Sequence, residues 1–151
     1  MEKIITISVS DYLSFELAEK ISAAQWHSAD WRGRIVRFLY DYKSESDIFN
    51  VVAFAEDKII GRVQCIQSIE NHRIWCVGDL FVIPEYHRRH IAEKMLNTAL
   101  ETMGGRGCRI VRSYIEPDNL PSLGLHKKLG FQEAEYTRFD GLIKEGDIML
   151  E

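Results

Sequence analysis

The chain has 151 residues, of which 46% are hydrophobic and 28% are charged, and its formal net charge is −4. This size and composition predict a single domain over residues 1–151 with a sizeable core, and the acidic balance argues against nucleic acid as the main partner. No apolar run is long enough to cross a membrane, and the first residues lead directly into a strand-like segment, so we predict a cytoplasmic protein without a signal peptide.

The N-terminal part combines one strand pattern with two helix patterns. Residues 3–9 alternate as a first strand does, and residues 13–24 carry the apolar face of a helix. A second helix is predicted at residues 34–42. Between the two helices lie Trp26 and Trp31, which either form the wall of a binding site or pack beneath the helices.

The middle of the chain is rich in strand formers. Residues 48–55 and 59–69 predict a hairpin around the polar segment 56–58. A buried strand follows at residues 73–83, and Pro84 ends it because proline cannot donate a ladder hydrogen bond.

The C-terminal half alternates strands and helices. A helix runs from about Arg88 to the glycine pair at residues 104–105, and a strand follows at residues 109–115. The order strand, helix, strand implies a parallel pair with a right-handed crossover.

A short second helix begins after Asn119, which can cap it, and ends at Gly130. Strands are then predicted at residues 131–137 and 146–150. The whole pattern predicts an α+β domain with a mixed central sheet and helices on both faces.

The turn between the buried strand and the long helix is basic, because it contains Arg88 and Arg89. A helix N-terminus presents free backbone N–H groups and the positive end of the helix dipole. Several such donors converge on residues 87–92, so this turn has the character of a phosphate-binding site.

Two segments resemble the GNAT superfamily of N-acetyltransferases. Residues 79–96 resemble the family pattern L-Y-V-x-P-x-Y followed by Q/R-x-x-G-x-G/A and a helix, except that histidines occupy positions 87 and 90. Residues 119–131 resemble the second family pattern, N-x-x-A/S-x-x-L-Y/H-x-K-x-G-F. Both segments occur in the family's order and at its spacing, and the resemblance is specific over residues 78–131.

The resemblance implies that acetyl-CoA binds with its pyrophosphate on the basic turn. His90 replaces a glycine of the family, and with ordinary helical angles its side chain would point outward and leave the turn usable. The residues implied at the pyrophosphate are His87, Arg88, Arg89, His90, Ile91 and Ala92.

The family's two parallel strands also splay apart after a bulge, so that the pantetheine arm inserts between them. This implies free backbone groups at Leu80, Phe81 and Val82, one of which could hold an oxyanion, and a role for Asn119 in fixing the arm.

Two residues are candidates for proton transfer. His126 occupies the family position of the general acid that protonates the departing thiolate, although Tyr114 or water could take that role. Asp79 stands in a run of apolar residues, where we expect a buried carboxylate that serves as a base, binds a substrate ammonium or has a structural partner.

Cys65, Cys76 and Cys108 lie in strand-like runs. Their odd number and the lack of a C-x-x-C pair argue against a disulfide framework or a metal site, so we predict buried hydrophobic side chains and no metal.

The predicted reaction is direct transfer of an acetyl group from acetyl-CoA to a primary amine, either a small molecule or a peptide N-terminus. The alternative is a non-catalytic acyl-CoA-binding regulatory module. A dinucleotide-binding domain is disfavoured because G-x-G-x-x-G does not follow the first strand. The sequence leaves the acceptor and a homodimer open, and we expect acceptor specificity in residues 22–34 and 70–72 and in the C-terminal strands.

Overall fold

The structure is a computed structural model that describes residues 4–11, 20–21, 45–135 and 148–151. Within these residues a six-stranded sheet has its strands in chain order from one edge to the other. The first four strands form an antiparallel meander, namely β1 (Ile5–Ser10), β2 (Ile48–Ala55), β3 (Lys58–Gln67) and β4 (Ile74–Val82).

The rest of the described chain alternates helix and strand. After β4 come a short 3-10 helix (Pro84–Tyr86), helix α1 (Ile91–Gly105), strand β5 (Ile110–Ile115), helix α2 (Leu120–Lys128) and strand β6 (Ile148–Leu150). Strand β5 is parallel to β4 and antiparallel to β6, so the sheet is mixed. The predicted α+β class is confirmed.

The central strands are buried on both faces, as the nearly unbroken burial of β2 indicates. Phe49 and Val51 belong to the core on the α1 side, whereas Val52 packs with Ile21 on the opposite side. Lys20 and Ile21 are helical, as predicted. The remainder of that predicted helix, the predicted helix at residues 34–42 and the two tryptophans between them lie outside the described residues.

Helix α1 packs on the sheet through a stripe of apolar residues that includes Met95, Ala99 and Met103. Its close approach to β3 depends on Gly61. A Cβ atom there would lie 2.9 Å from Met95 Cε and 3.0 Å from the carbonyl oxygen of Phe81. A glycine therefore lets the helix lie directly on the part of the sheet that borders the predicted site.

The two parallel strands separate part-way along their length. They are paired from Ile74↔Ile110 to Val77↔Ser113, but β4 continues to Val82. On its other side β4 stays paired with β3 as far as Val82, so the gap opens only toward β5. The predicted splayed pair is therefore confirmed.

Arg106, just after α1, connects three distant parts of the described chain. Its guanidinium donates to Asp11 Oδ1 at 2.6 Å and to Asp47 Oδ2 at 2.9 Å. It also lies 4.5 Å from the centre of the Phe49 ring. These contacts join the C-terminal end of the helix to the end of β1 and the start of β2.

Two elements differ from the sequence prediction by more than two residues. Helix α1 begins at Ile91 rather than at about Arg88, because Arg88 and His90 have left-handed backbone angles that a helix cannot include. The strand predicted at residues 131–137 is, in its described part, only a bridge from Glu133 to Leu150, and residues 136–137 lie outside the described chain.

Cys65 and Cys76 are buried and Cys108 is partly buried, so the predicted hydrophobic role is confirmed for the first two. Burial raises the pKa of the Cys65 thiol far above its usual range, which makes this group unreactive. In the described ranges, no helix has the length and apolar character needed to span a bilayer. The same ranges contain no cluster of three or more side chains able to hold a metal ion.

Candidate active site

Strand β4 has a β-bulge at the point where it leaves β5. Two of its residues, Asp79 and Leu80, lie opposite a single residue of β3, Val63. Asp79 has a φ of 51°, in the left-handed region that few residues other than glycine adopt. Bulges interrupt pairing and redirect side chains, so this one widens the gap between the parallel strands.

A cavity of about 260 Å³ occupies the widened gap. Its walls come from both separated strands and from helix α2, which closes one side. Polar side chains are prominent among the residues that line it, which include Asp79, Ser113, Tyr114, Glu116, Asn119 and His126. The structure thus brings the two predicted proton-transfer residues into one cavity.

Asp79 is not the buried carboxylate that its apolar neighbours suggested. Its side chain is 48% exposed, because the left-handed angle at the bulge breaks the regular alternation of the strand. One carboxylate oxygen lies 3.8 Å from Nη1 of Arg62, whose side chain is fully buried and donates from Nε to Asn50 Oδ1 at 2.9 Å. Burial lowers the pKa of the Arg62 guanidinium, and the nearby Asp79 carboxylate opposes that shift.

His126 is held by three neighbours and is only 2% exposed. Its Nδ1 lies 2.7 Å from the carbonyl oxygen of Ser122, and its Nε2 lies 3.0 Å from Ser113 Oγ. The ring also meets Phe131 edge to face, with 5.0 Å between the ring centres. These contacts fix both the position and the orientation of the imidazole.

The hydrogen-bond partners determine which nitrogen of His126 carries the proton. A carbonyl oxygen can only accept, so Nδ1 donates to Ser122. In the neutral ring Nε2 is then an acceptor, and the Ser113 hydroxyl donates to it. Burial lowers the pKa of His126, and the hydrogen bond to the Ser122 carbonyl opposes that shift. The resting ring is therefore neutral at pH 7.

The sequence analysis missed Ser113 and Ser122. Ser113 is 3% exposed and stands between Val111 and Ile115 on the inward side of β5, where an apolar residue would be expected. The polar residue in the inward pattern of this strand could have indicated a functional role. The sequence alone does not show that Ser113 lies close to His126, because the two residues are on different elements.

The basic turn presents an array of backbone donors. Arg88 has a φ of 63° and His90 a φ of 60°. Left-handed residues in a turn are typical of backbone nests, in which successive N–H groups point to one side and bind an anion. The first hydrogen bond of α1 runs from the Lys94 N–H to the His90 carbonyl, so the N–H groups of residues 91–93 precede the helical ladder. Arg89 lies 5.0 Å above the ring of Tyr86, which is buried and fixes that side of the turn.

The two histidines of the turn have different surroundings. His87 Nε2 donates to the Val82 carbonyl at 2.6 Å, which ties the turn to the end of β4. The predicted outward placement of the His90 side chain assumed helical backbone angles. His90 instead lies in the left-handed region that glycine favours. Its side chain is nevertheless 72% exposed and lies 3.3 Å from Glu93 Oε2.

Beyond the bulge, β4 stays paired with β3 on one side and is no longer paired with β5 on the other. The Ile83 N–H donates to Ile60 in β3, and polar groups alternate in direction along a strand. We therefore expect the N–H groups of Leu80 and Val82 to point into the gap, whereas Phe81 pairs with Arg62 of β3.

Asn119 is the N-cap of α2, as predicted, because its Oδ1 accepts from the Ser122 N–H at 3.3 Å. It also lines the cavity. One side chain thus both starts the helix that carries His126 and faces the gap.

The acetyltransferase (GNAT) family model matches residues 14–131. The chain belongs to this family. The prediction from the two motifs is therefore confirmed, and acetyl-CoA, the predicted cosubstrate, is the acetyl donor of this family.

Two curated relatives carry acetyltransferase names. An uncharacterised N-acetyltransferase of Methanocaldococcus jannaschii is 30% identical over 105 residues, which are 67% of this chain and 46% of that protein. An aminoglycoside N(6')-acetyltransferase type 1 of Salmonella typhimurium is 26% identical over 88 residues, or 58% of this chain and 59% of that protein. The chain spans about half the length of the curated relatives it matches.

A solved structure, the PaiA N-acetyltransferase of Thermoplasma acidophilum in complex with coenzyme A, has the same fold. It is 19% identical, with a TM-score of 0.73 over 96% of this chain and 97% of the other. In this GNAT domain the widened gap, the bulge and the basic turn therefore lie on a sheet of known acetyltransferase architecture.

Proposed function

We propose that this chain transfers an acetyl group from acetyl-CoA to a primary amine, of a small molecule or a peptide N-terminus, by direct attack in a ternary complex. The observation that carries the proposal is the gap between β4 and β5, which runs from a polar cavity beside Asp79 toward the turn at Arg88. A long ligand with a phosphate at one end and a reactive group at the other fits this arrangement of donors and cavity.

In the proposed complex the turn at residues 87–92 holds the pyrophosphate of acetyl-CoA. Its backbone N–H groups beyond His87, whose own N–H donates to the Pro84 carbonyl, supply hydrogen bonds, and Arg88 and Arg89 add positive charge. His87 supports the turn indirectly. Its ring donates a hydrogen bond to the Val82 carbonyl and so holds the turn against the strand.

The pantetheine arm then lies along β4, where Leu80 and Val82 have backbone groups directed into the gap. An N–H at the bulge is well placed to bind the oxyanion when an amine attacks the thioester carbonyl. Asn119 closes the other side of the arm from the start of α2.

Asp79 acts on the amine. Its carboxylate is partly exposed at the cavity, where it can bind an ammonium group and take its first proton. The buried guanidinium of Arg62 holds this carboxylate in place from the sheet side. A substrate with a cationic amine is thus favoured over a neutral one by charge.

His126 is the source of the proton for the departing thiolate, once its neutral ring has taken up a proton released by the attacking amine. A thiol has a pKa of about 8.5, so its thiolate is a moderately good leaving group and protonation helps without being essential. Tyr114 also lines the cavity and is the alternative donor.

The test is a screen of primary amines with acetyl-CoA, in which free thiol and acetylated product are both measured. Amine-dependent release of coenzyme A with matching acetyl product supports the proposal. Calorimetry with coenzyme A runs in parallel, because binding without transfer to any amine would instead indicate an acyl-CoA-binding module. No binding at millimolar concentration would contradict both functions.

A further inference from the structure

We infer that Ser113 is a catalytic residue and that its hydroxyl passes protons between the reacting atoms and the His126 imidazole, so that the two side chains form one proton relay. The inference rests on the proposed acetyl transfer and assigns a residue that neither family motif contains. It concerns the route of the proton rather than the identity of the amine.

The geometry of the pair supports the relay. Ser113 Oγ and His126 Nε2 are 3.0 Å apart, and both side chains line the cavity although they come from different elements. The far nitrogen of the ring is fixed by the Ser122 carbonyl at 2.7 Å. A hydroxyl, a base and a group that orients the base thus form one chain of hydrogen bonds.

The direction of these hydrogen bonds determines what the pair does first. Nδ1 of His126 already donates to Ser122, and Nε2 already accepts from Ser113. The resting imidazole therefore has no proton directed at the cavity. It can receive one through Ser113 but cannot give one until it has received it.

The proton balance of the reaction fits this order. When a neutral amine attacks the thioester carbonyl, an N–C bond forms and the nitrogen becomes positively charged in the tetrahedral intermediate. The nitrogen gives a proton to Ser113 Oγ as the serine proton moves to His126 Nε2. The C–S bond then breaks, Ser113 protonates the leaving sulfur, and the imidazolium returns its proton to Ser113.

The relay returns Ser113 and His126 to their starting states and needs no further reactant. Asp79 takes only the first proton, whose removal makes an entering ammonium neutral, and releases it to solvent from its partly exposed side chain. The first proton transfer is therefore assigned to an exposed carboxylate, and the later transfers are assigned to a buried pair of side chains.

The relay predicts the sign of one pH effect. A relay that starts by accepting a proton needs a neutral ring, and burial lowers the pKa of His126 below its ordinary value of about 6.5. We therefore expect activity to fall as the pH decreases through that lowered pKa. If the resting ring were instead an imidazolium that acts as an acid, the pH dependence would be opposite, and activity would be lost as the pH rises.

Within residues 4–11, 20–21, 45–135 and 148–151, the hydrogen bonds and the ring contact of the imidazole are with uncharged groups. Ser122 and Phe131 contact it from α2 and the following segment, and Ser113 contacts it from β5. Asp79, Glu116 and Tyr114 are the titratable groups among the residues that line the same cavity. Asp79 also takes up a proton in the proposed reaction, so the experiment must separate the two residues.

The central variants are Ser113→Ala and Ser113→Thr, measured with the best amine from the screen. We expect Ser113→Ala to lower kcat roughly 10²-fold, the lower end for general acid–base catalysis, with little change in the affinity for coenzyme A. Ser113→Thr keeps the hydroxyl and should restore most of the rate. Asp79→Asn tests which residue causes the loss of activity at low pH. A loss that is due to His126 persists in Asp79→Asn and disappears in Ser113→Ala.

Ser46→Ala is the matched control. Ser46 is another buried serine, and its hydroxyl donates to the Gln67 carbonyl at 2.9 Å away from the cavity. It should lose stability as Ser113→Ala does but keep the parent rate and pH profile. A kinetic effect from Ser113 alone therefore reports catalysis rather than folding.

A proton inventory in mixtures of light and heavy water completes the test. Two protons that move together give a curved inventory in the parent, and Ser113→Ala should give a linear one. If Ser113→Ala does not fold, a linear inventory in the parent and an inactive Ser113→Thr still overturn the relay.

Other outcomes separate the two proposals. A parent that transfers acetyl groups and a Ser113→Ala variant with the same rate would overturn the relay and leave the proposed function intact. Quenched enzyme with an acetyl group on Ser113 would replace the relay by a covalent route. A parent that acetylates no amine contradicts the proposed function itself.

Discussion

The two ends of the β4–β5 gap are built in different ways. At the cavity, Ser113 and His126 are nearly fully buried and are held by side-chain hydrogen bonds. At the basic turn, Arg88 and His90 are exposed, and their backbone angles rather than their side chains define the structure. In the proposed function, the first region uses side-chain chemistry and the second uses backbone N–H groups.

This difference implies different responses to substitution. A buried side chain in a hydrogen-bond chain has few acceptable replacements, because a lost partner leaves a polar atom unsatisfied. A turn that binds through its backbone tolerates many side chains and is sensitive mainly to φ. The predictions that follow test this division.

The largest expected effect is at His126. His126→Gln should lower kcat roughly 10²-fold with little change in the affinity for coenzyme A, because glutamine keeps one donor and one acceptor but does not take up a proton. Steady-state kinetics and calorimetry measure the two quantities. His126→Phe is the companion variant, and His126→Tyr should retain more activity than it.

An unchanged rate in His126→Phe at every pH would assign the proton to Tyr114 or water. It would also contradict the contrast between the two ends of the gap, because the hydrogen bonds of the buried end would then have a structural role only.

The second effect is at Asp79. Asp79→Asn should lower kcat/KM for a cationic amine about tenfold, or about 1.4 kcal/mol, because the charge that attracts the ammonium is lost. The cost in folding stability should stay below about 1 kcal/mol, since the contact with Arg62 is long, at 3.8 Å, and the Asp79 side chain is half exposed. Glu85→Gln is the control, because Glu85 pairs with Lys58 at an exposed site. A lower melting temperature with unchanged kinetics would make Asp79 structural.

A smaller effect is expected in the turn. Arg89→Ala should weaken coenzyme A binding about fivefold, close to 1 kcal/mol, with the difference decreasing at high salt. Arg73→Ala removes the same charge from an exposed position at the other end of β4 and should have little effect. Equal losses in both variants would mean that long-range charge, and not the turn, attracts the ligand.

The smallest effect is expected at His90. His90→Gly should increase the free energy of unfolding by roughly 0.5–1 kcal/mol, because glycine adopts a φ of 60° without strain. Thermal unfolding should show a rise of about 1–4 °C, and coenzyme A binding should stay intact or tighten. His90→Ala removes the imidazole but keeps the strain and so should not be stabilised. A large loss of coenzyme A affinity in both variants would show that the ring contacts a phosphate.

The sequence was sufficient where local pattern decides structure. The apolar repeat of α1, the proline after β4 and the cap at Asn119 gave the strand, turn and helix around the gap. The two family motifs then supplied the splayed pair. These features depend on residues close together in the chain.

The sequence failed where the backbone departs from regular geometry or where distant elements meet. The left-handed angle of Asp79 exposes its carboxylate, and that of His90 places the start of α1 later than predicted. The periodicity of apolar residues in a sequence does not indicate such angles. Ser113 became significant only through the packing of α2 beside β5. A buried partner from another element is a tertiary property.

Arg106 has a consequence for how this domain can change over generations. Its two partners, Asp11 and Asp47, border residues 12–46, and the same ends are also joined by the pairing of β1 with β2. Because one side chain anchors both ends of this interval, the ends stay joined whatever the length of chain between them. Insertions, deletions or exchange with a relative that keep the core contact of Ile21 with the sheet should therefore be inherited as modular changes that leave the scaffold intact.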